Sequence, residues 1–302
     1  MSGWALLFPG QGAQYVGMGR SVHDQLSPAR ELFDRANDIL GYDLKQICFE
    51  GPESTLNSTV HSQPALFVTS LAALELIKDS NPEWIEGCEI TAGLSLGEYT
   101  AHVFAGTLDF EVGLKIVQRR GEAMQAASDA RPSGMVSVLG LKPDELAQLC
   151  DDVRQDEVLA IANYLCPGNI VVSGDKSACS RLVVAAEAAG AMKTISLAVA
   201  GAFHTSIMEP AIGALAEVLR EAEMRSPRIP VVSNVDARPH DNVDELRELL
   251  EQQVSAPVQW EATMRYLLDQ NVEHFCEVGP GRVLRGLLKR VHRKADSHGT
   301  LD

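Results

Sequence analysis

Short apolar runs alternate with longer stretches of helical spacing through the first part of the chain. Trp4 to Phe8 is an apolar run stopped by Pro9-Gly10, which predicts a buried strand. Ala29 to Leu40 has helical periodicity and ends at Gly41, a residue suited to a C-terminal cap. Pro64 to Ile77 reads as a second helix, opened by Pro64 at an N-terminal position. Ile90 to Gly93 reads as a strand, a helix starts near Leu96, and Phe110 to Ala126 is an amphipathic helix carrying Arg119 and Arg120. This alternation predicts a parallel α/β sheet.

The character changes near Arg131, where Pro132-Ser133-Gly134 marks a linker. Strands over Met135–Leu139, Val158–Ala162, Ile170–Ser173 and Met192–Leu197 interleave with helices over Pro143–Asp152 and Ser177–Ala189. The order β-α-β-β-α-β is that of the ferredoxin-like split unit. The main pattern resumes near Val199 with a helix over Ile207–Glu223, a strand over Val231–Asn234, and helices over Val243–Val254 and Gln259–Asp269. A last strand, His274–Val278, feeds a terminal helix, Arg282–His292. The expected architecture is α/β: a large α/β-hydrolase-like domain with a mostly parallel sheet (1–131 and 199–302) and an inserted ferredoxin-like (βαββαβ) small domain (132–198).

Gly93-Leu94-Ser95-Leu96-Gly97, between strand and helix, has the form of a nucleophile elbow. Glycines two before and two after the serine leave room for the sharp turn and for close helix-on-strand packing. The N–H of Leu96, in the first helical turn, has no intrahelical partner and suits a developing oxyanion. The Pro9-Gly10-Gln11-Gly12 turn lacks the lysine of a phosphate-binding loop, so Gln11 is expected to line a site at the carboxyl end of a strand.

With 302 residues and 45% hydrophobic content the chain can bury one large core or two smaller ones. The net charge of -15 repels phosphate, arguing against a nucleic-acid partner. The start of the chain, Met1 to Gly3, lacks a basic leader region, and the apolar stretch Ala65 to Ile77 is interrupted by Thr69, Ser70 and Glu75, so neither a secretory leader nor a membrane span is expected. The six cysteines have no paired spacing and read as reduced, buried residues of a cytoplasmic protein.

A serine nucleophile needs a base. Of the eight histidines, His102 lies about 10 Å along the helix from Ser95 at 1.5 Å per residue, out of reach, and reads as a helix-surface residue. His23, His240, His292 and His298 lie in polar surroundings, His61 precedes a helix, and His274 starts a strand. His204 follows a loop of small residues at the junction of the two units, where clefts form, although a loop histidine is also commonly structural. No acid declares itself as an orienter of the histidine, which leaves a backbone carbonyl as one option.

The segments Phe8-Pro9-Gly10-Gln11-Gly12-Ala13-Gln14, Gly93 to Glu98, Arg120-Gly121, Gly201-Ala202-Phe203-His204 and Glu277-Val278-Gly279-Pro280-Gly281, in this order, resemble the malonyl-CoA:acyl carrier protein transacylase family, related to the acyltransferase domains of fatty acid and polyketide synthases. The resemblance runs from about Trp4 to Val291. It implies a Ser-His dyad, Ser95 and His204, that takes malonyl from coenzyme A and passes it to the phosphopantetheine thiol of a carrier protein, with no metal or other cofactor. It also implies an oxyanion hole from the N–H groups of Gln11 and Leu96. Arg120, in the Arg-Gly-x-x-Met-Gln pattern of Arg120 to Gln125, would grip the malonyl carboxylate, a role that suits the guanidinium fork. The backbone carbonyl of Gln253 would orient the histidine, Asn163 would line the acyl pocket, and Phe203 resembles malonyl-selective members. Leu94 stands where many members have histidine, and the loop Asn163 to Asn169 departs from the family's Asn, Ser and Gln content.

The acidic chain needs a basic patch to dock an acidic carrier protein. Arg282, Arg285, Lys289 and Arg293 recur along one face of the terminal helix, with Val283, Leu284, Leu287, Leu288 and Val291 expected to face inward. That face equally suits a solvated helix end. The chain is expected to act as a monomer. Two rival readings are a serine hydrolase or thioesterase acting on acyl-CoA and a non-catalytic acyl-CoA-binding subunit, and a transferase serving a polyketide synthase is a further variant.

Overall fold

The computed structural model describes residues 3–301. The reading of Met1 and Ser2 as free of a leader, and the outer bounds 1 and 302 of the large unit, lie outside them. Nine strands are described: β1 (Gly3–Phe8), β2 (Cys88–Gly93), β3 (Ser133–Leu139), β4 (Leu159–Cys166), β5 (Asn169–Asp175), β6 (Lys193–Ser196), β7 (Val231–Val232), β8 (Val272–Pro280) and β9 (Asp296–Leu301). They form two sheets, one in the order β7-β2-β1-β8-β9 and one in the order β4-β5-β3-β6. All pairs in the first are parallel and all pairs in the second antiparallel.

β1 lies at the centre of the parallel sheet and is covered on both faces, which is why it reads as an unbroken apolar run rather than an alternation. Leu6 and Phe8 enter the larger core with the long helices, while Ala5 and Leu7 enter a second core with Trp260, Leu284 and Leu288. Through the larger core runs the helix Thr59–Ser80. It is long and apolar enough to span a membrane, at a mean hydropathy of 1.2, but 78% of that window is buried within the protein. It begins at Thr59, so Pro64 lies inside it rather than opening it. Gly121 permits the crossing helix Phe110–Ala130 to press against its first turn: a Cβ on Gly121 would lie 2.9 Å from the Thr59 carbonyl oxygen.

In the antiparallel sheet, period-two alternation divides β3 between two environments. Val136 and Val138 pack under the helices Pro143–Arg154 and Lys176–Ala188, and Met135 and Ser137 turn toward the parallel sheet's side of the molecule. The short helices Arg20–Gln25, Leu44–Glu50, Glu53–Leu56 and Pro82–Glu86 were not anticipated, and the elements that were differ from expectation mainly at their ends. β7 keeps only two ladder residues, the helix expected from Ile207 starts at Glu209 after a 3₁₀ turn at Ser206–Met208, and β9 was not anticipated. β9 is polar because it is an edge strand, paired only to β8.

Candidate active site

The elbow is formed by close backbone approach. A Cβ on Gly97 would lie 2.0 Å from the Phe8 carbonyl oxygen, and one on Gly93 would lie 1.9 Å from the Gly97 carbonyl carbon. Between them Ser95 takes φ 50° and ψ -101°, a strained geometry for a residue with a side chain. Asn234 holds it there: its Oδ1 accepts from the Ser95 N–H at 2.6 Å and its Nδ2 donates to the Gly93 carbonyl at 2.7 Å. The Gln11 turn abuts the elbow, since a Cβ on Gly10 would meet the Leu94 carbonyl oxygen at 2.3 Å.

His204, also left-handed at φ 62°, brings Nε2 to 2.9 Å from Ser95 Oγ. Its Nδ1 lies 2.8 Å from the Gln253 carbonyl oxygen. A carbonyl can only accept, so Nδ1 carries the proton and Nε2 is the lone-pair nitrogen facing the serine. Burial, then the charge of Arg120, push the His204 pKa down to about 4 against the favourable pull of the Gln253 carbonyl. The imidazole is therefore neutral at pH 7 and able to take the serine proton.

Arg120 is buried, and its Nη2 donates to Ser95 Oγ and to Gln253 Oε1, each at 2.9 Å, while Nη1 donates to Gln63 Oε1 at 2.8 Å. The Arg-Gly-x-x-Met-Gln pattern has a packing basis. Gly121 allows the helices to touch, Met124 lies beside Gln63, and Gln125 Oε1 accepts from the Thr59 N–H at 3.2 Å. Arg119 is an exposed surface residue paired with Glu122 at 3.6 Å.

A cavity of about 300 Å³ opens over these groups. Gln11, Ser95, Leu96, Arg120, Phe203 and His204 line it from the parallel-sheet side. Asn163 lines it from β4, beside Met135 and Val171 of the antiparallel sheet. Gln253 reaches the site from behind, through its carbonyl and its amide. The one grouping of metal-type ligands found among the described residues, His274, Asp296 and His298, lies on the β8–β9 edge, outside this cavity.

Three residues of the site went unread in the sequence: Gln63, Glu98 and Asn234. Glu98 is fully buried, accepting at Oε2 from Gln253 Nε2 at 2.6 Å and from the Asn234 N–H at 3.1 Å. Burial pushes its pKa up to about 7 against those hydrogen bonds and the Arg120 charge. The available signal was a polar residue on a helix that is otherwise largely buried, as Glu98 is in Leu96–Phe104 and Gln63 in Thr59–Ser80, and several other polar residues of the same helices share it. His102, expected on the surface, is instead buried, and burial alone lowers its pKa to about 4. In the terminal helix, Val283 is 42% exposed at the cavity rim rather than inward. Arg285 is folded against the buried Glu277, its Nε 3.6 Å from Oε2.

The acyl transferase domain model matches residues 5–300. The human mitochondrial malonyl-CoA-acyl carrier protein transacylase is 41% identical over 302 residues, covering 96% of this chain and 77% of that one. The malonyl CoA-acyl carrier protein transacylase of Bacillus subtilis is 39% identical over 297 residues, covering 97% and 92%. A malonyl-transacylase solved in complex with a type II polyketide acyl-carrier protein superposes with a TM-score of 0.95 at 36% identity, covering 100% of this chain and 96% of that one. With its elbow, its cavity and near full-length similarity of this kind, the chain belongs to the acyl transferase family and, within it, to the malonyl-CoA-acyl carrier protein transacylases.

Proposed function

We propose that this acyltransferase moves malonyl from malonyl-CoA to the phosphopantetheine thiol of acyl carrier protein in two half-reactions through a malonyl-Ser95 ester. The carrying observation is that Ser95 Oγ lies 2.9 Å from a neutral imidazole and 2.9 Å from a buried guanidinium. Ser95 Oγ attacks the thioester carbonyl as its proton passes to His204 Nε2. The tetrahedral oxyanion is met by the N–H groups of Gln11 and Leu96, and the coenzyme A sulfur leaves with the proton from Nε2. The carrier thiol then gives its proton to Nε2, attacks the ester, and Ser95 Oγ recovers the proton as the product thioester departs. The Gln253 carbonyl fixes the imidazole, Arg120 receives the malonyl carboxylate, and Asn163 and Phe203 shape the acyl end of the cavity.

The fold reading belongs to the same proposal. The parallel sheet with its serine elbow is α/β-hydrolase-like, and the strand order β4-β5-β3-β6 with two helices on one face supports a ferredoxin-like insertion over 132–198, within a large unit of 1–131 and 199–302. The pathway we propose is cytoplasmic fatty acid biosynthesis by a monomer, and the polyketide carrier protein in the solved relative keeps polyketide synthesis as the second reading. Docking of the carrier is assigned to the exposed Arg282, Lys289 and Arg293 on and beside the terminal helix. Arg285, turned onto Glu277, is left out of that face.

Incubation with malonyl-CoA alone, followed by acid quench and intact-mass and peptide mass spectrometry, tests the reaction. A malonyl adduct on Ser95 that survives in water and is discharged by carrier protein is expected. Release of free malonate at the same rate without carrier would make the protein a hydrolase.

A further inference from the structure

A buried guanidinium is ordinarily matched by a carboxylate, because an unpaired charge in a low-dielectric interior is expensive. Arg120 departs from this. It is 1% exposed, yet each group that accepts from it is neutral: Gln63 Oε1 at Nη1, and Gln253 Oε1 and Ser95 Oγ at Nη2. Its Nε–H is buried with no hydrogen-bond partner. The Tyr99 ring, with its centroid 5.2 Å from the guanidinium carbon, adds a further uncharged contact.

The glutamine orientations are determined by their surroundings. Gln253 Nε2 points at the Ser95 carbonyl at 3.0 Å and at Glu98 Oε2 at 2.6 Å. An amide flip would set its oxygen against both acceptors, so Oε1 must face Arg120. Gln63 Nε2 faces the Met124 sulfur at 3.5 Å, which leaves its oxygen for Arg120. The acid of the network, Glu98, is hydrogen-bonded to Gln253 rather than to the guanidinium, and thus stands one amide away from it.

We propose that Gln63 and Gln253 are positioning residues whose neutrality sets selectivity: they hold Arg120 with uncharged oxygens, so that its charge is left for the carboxylate of a 2-carboxyacyl thioester such as malonyl. This rests on the transfer reading above and extends it. A carboxylate at position 63 would fill the same volume and neutralise the guanidinium from behind. An incoming dicarboxylic acyl group would then meet a compensated cation and a like charge, whereas a monocarboxylic acyl group such as acetyl would be indifferent.

The test is to measure acylation of Ser95 from malonyl-CoA and from acetyl-CoA in the wild type, Gln63→Glu and Gln63→Met. For Gln63→Glu the malonyl-to-acetyl ratio of kcat/KM is expected to fall by about 100-fold, mostly through KM for malonyl-CoA, with any loss of the acetyl rate much the smaller of the two. Lowering the pH to protonate the introduced carboxyl should restore part of the malonyl preference. Gln63→Met, of similar size and uncharged, should keep the ratio within a few-fold even if both rates drop. A wild-type ratio in Gln63→Glu, or equal losses for both substrates in a folded protein, overturns the inference. So does collapse of the ratio in Gln63→Met, which stands as the deciding variant should Gln63→Glu not fold. A wild type that takes no malonyl at all would instead sink the transfer reading itself.

Discussion

At the scale of single residues, the electrostatics of the dyad make a kinetic prediction. Burial and the Arg120 charge depress the His204 pKa to about 4. In the proposed mechanism His204 acts unprotonated, so activity is expected to be kept above that value and lost as the pH falls through it. In the proposed complex a malonyl carboxylate on Arg120 would cancel part of the repulsion, so the pKa is expected to rise once substrate is bound. The acid limb of kcat, which reports the complex, is therefore expected at higher pH than the limb of kcat/KM, which reports the free enzyme. Coincident limbs in steady-state profiles for malonyl-CoA would show that Arg120 does not sense the substrate carboxylate. His204 itself was legible only with help. Its loop and junction position narrowed eight histidines, but the 2.9 Å approach to a serine 109 positions away is a property of the fold.

At the scale of elements, the elbow was legible and its supports were not. Gly97 is demanded by contact with the end of β1, where a Cβ would lie 2.0 Å from the Phe8 oxygen. Gly97→Ala must push the helix Leu96–Phe104 off β1. Overpacking of this kind costs about 1–3 kcal/mol, expected as a lower denaturation midpoint with unchanged slope and a loss of Ser95 acylation larger than the stability loss explains. Wild-type acylation in that variant would show that the elbow tolerates displacement. The terminal helix has a similar hidden support. The buried Glu277 of β8 accepts from the N–H groups of Leu284 and Arg285 at 2.9 and 3.0 Å, capping a helix that begins several residues later. Read as part of a turn motif, Glu277 gave no sign of that role.

At the scale of the whole molecule, the cavity exists because two sheets meet across it. The antiparallel sheet is tied to the rest by the Tyr164 N–H donating to the Val258 carbonyl at 2.9 Å and by Arg290 Nη2 reaching the Pro167 carbonyl at 3.3 Å. The terminal helix thus contacts both sheets, and its Val283 and Leu287 line the cavity. On a chain of net charge -15, a local cationic patch is needed to draw an acidic carrier inward. Reversal of Lys289 and Arg293 to Glu is expected to raise KM for carrier protein about tenfold at low salt, while acylation by malonyl-CoA stays at the wild-type rate. An unchanged carrier KM would place the docking surface elsewhere.

Local information was enough for what depends on neighbours along the chain. The apolar runs marked β1 and β2 because both are buried on two faces, and the glycines around Ser95 marked a tight turn because only glycine permits it. The switch in element order near Arg131 marked the start of the antiparallel sheet. That His204 meets Ser95 and that the Gln253 carbonyl faces its Nδ1 was expected only through the family resemblance and took the tertiary structure to appear as contacts, and the structure alone showed that Gln63, Glu98 and Asn234 belong to the site. Those contacts join residues far apart in sequence, and a buried polar residue is recognised by the partner that satisfies it, which no local pattern encodes. β9 was missed for the same reason. A polar edge strand has neither the alternation nor the apolar run of a buried one, and only its pairing with β8 makes it a strand.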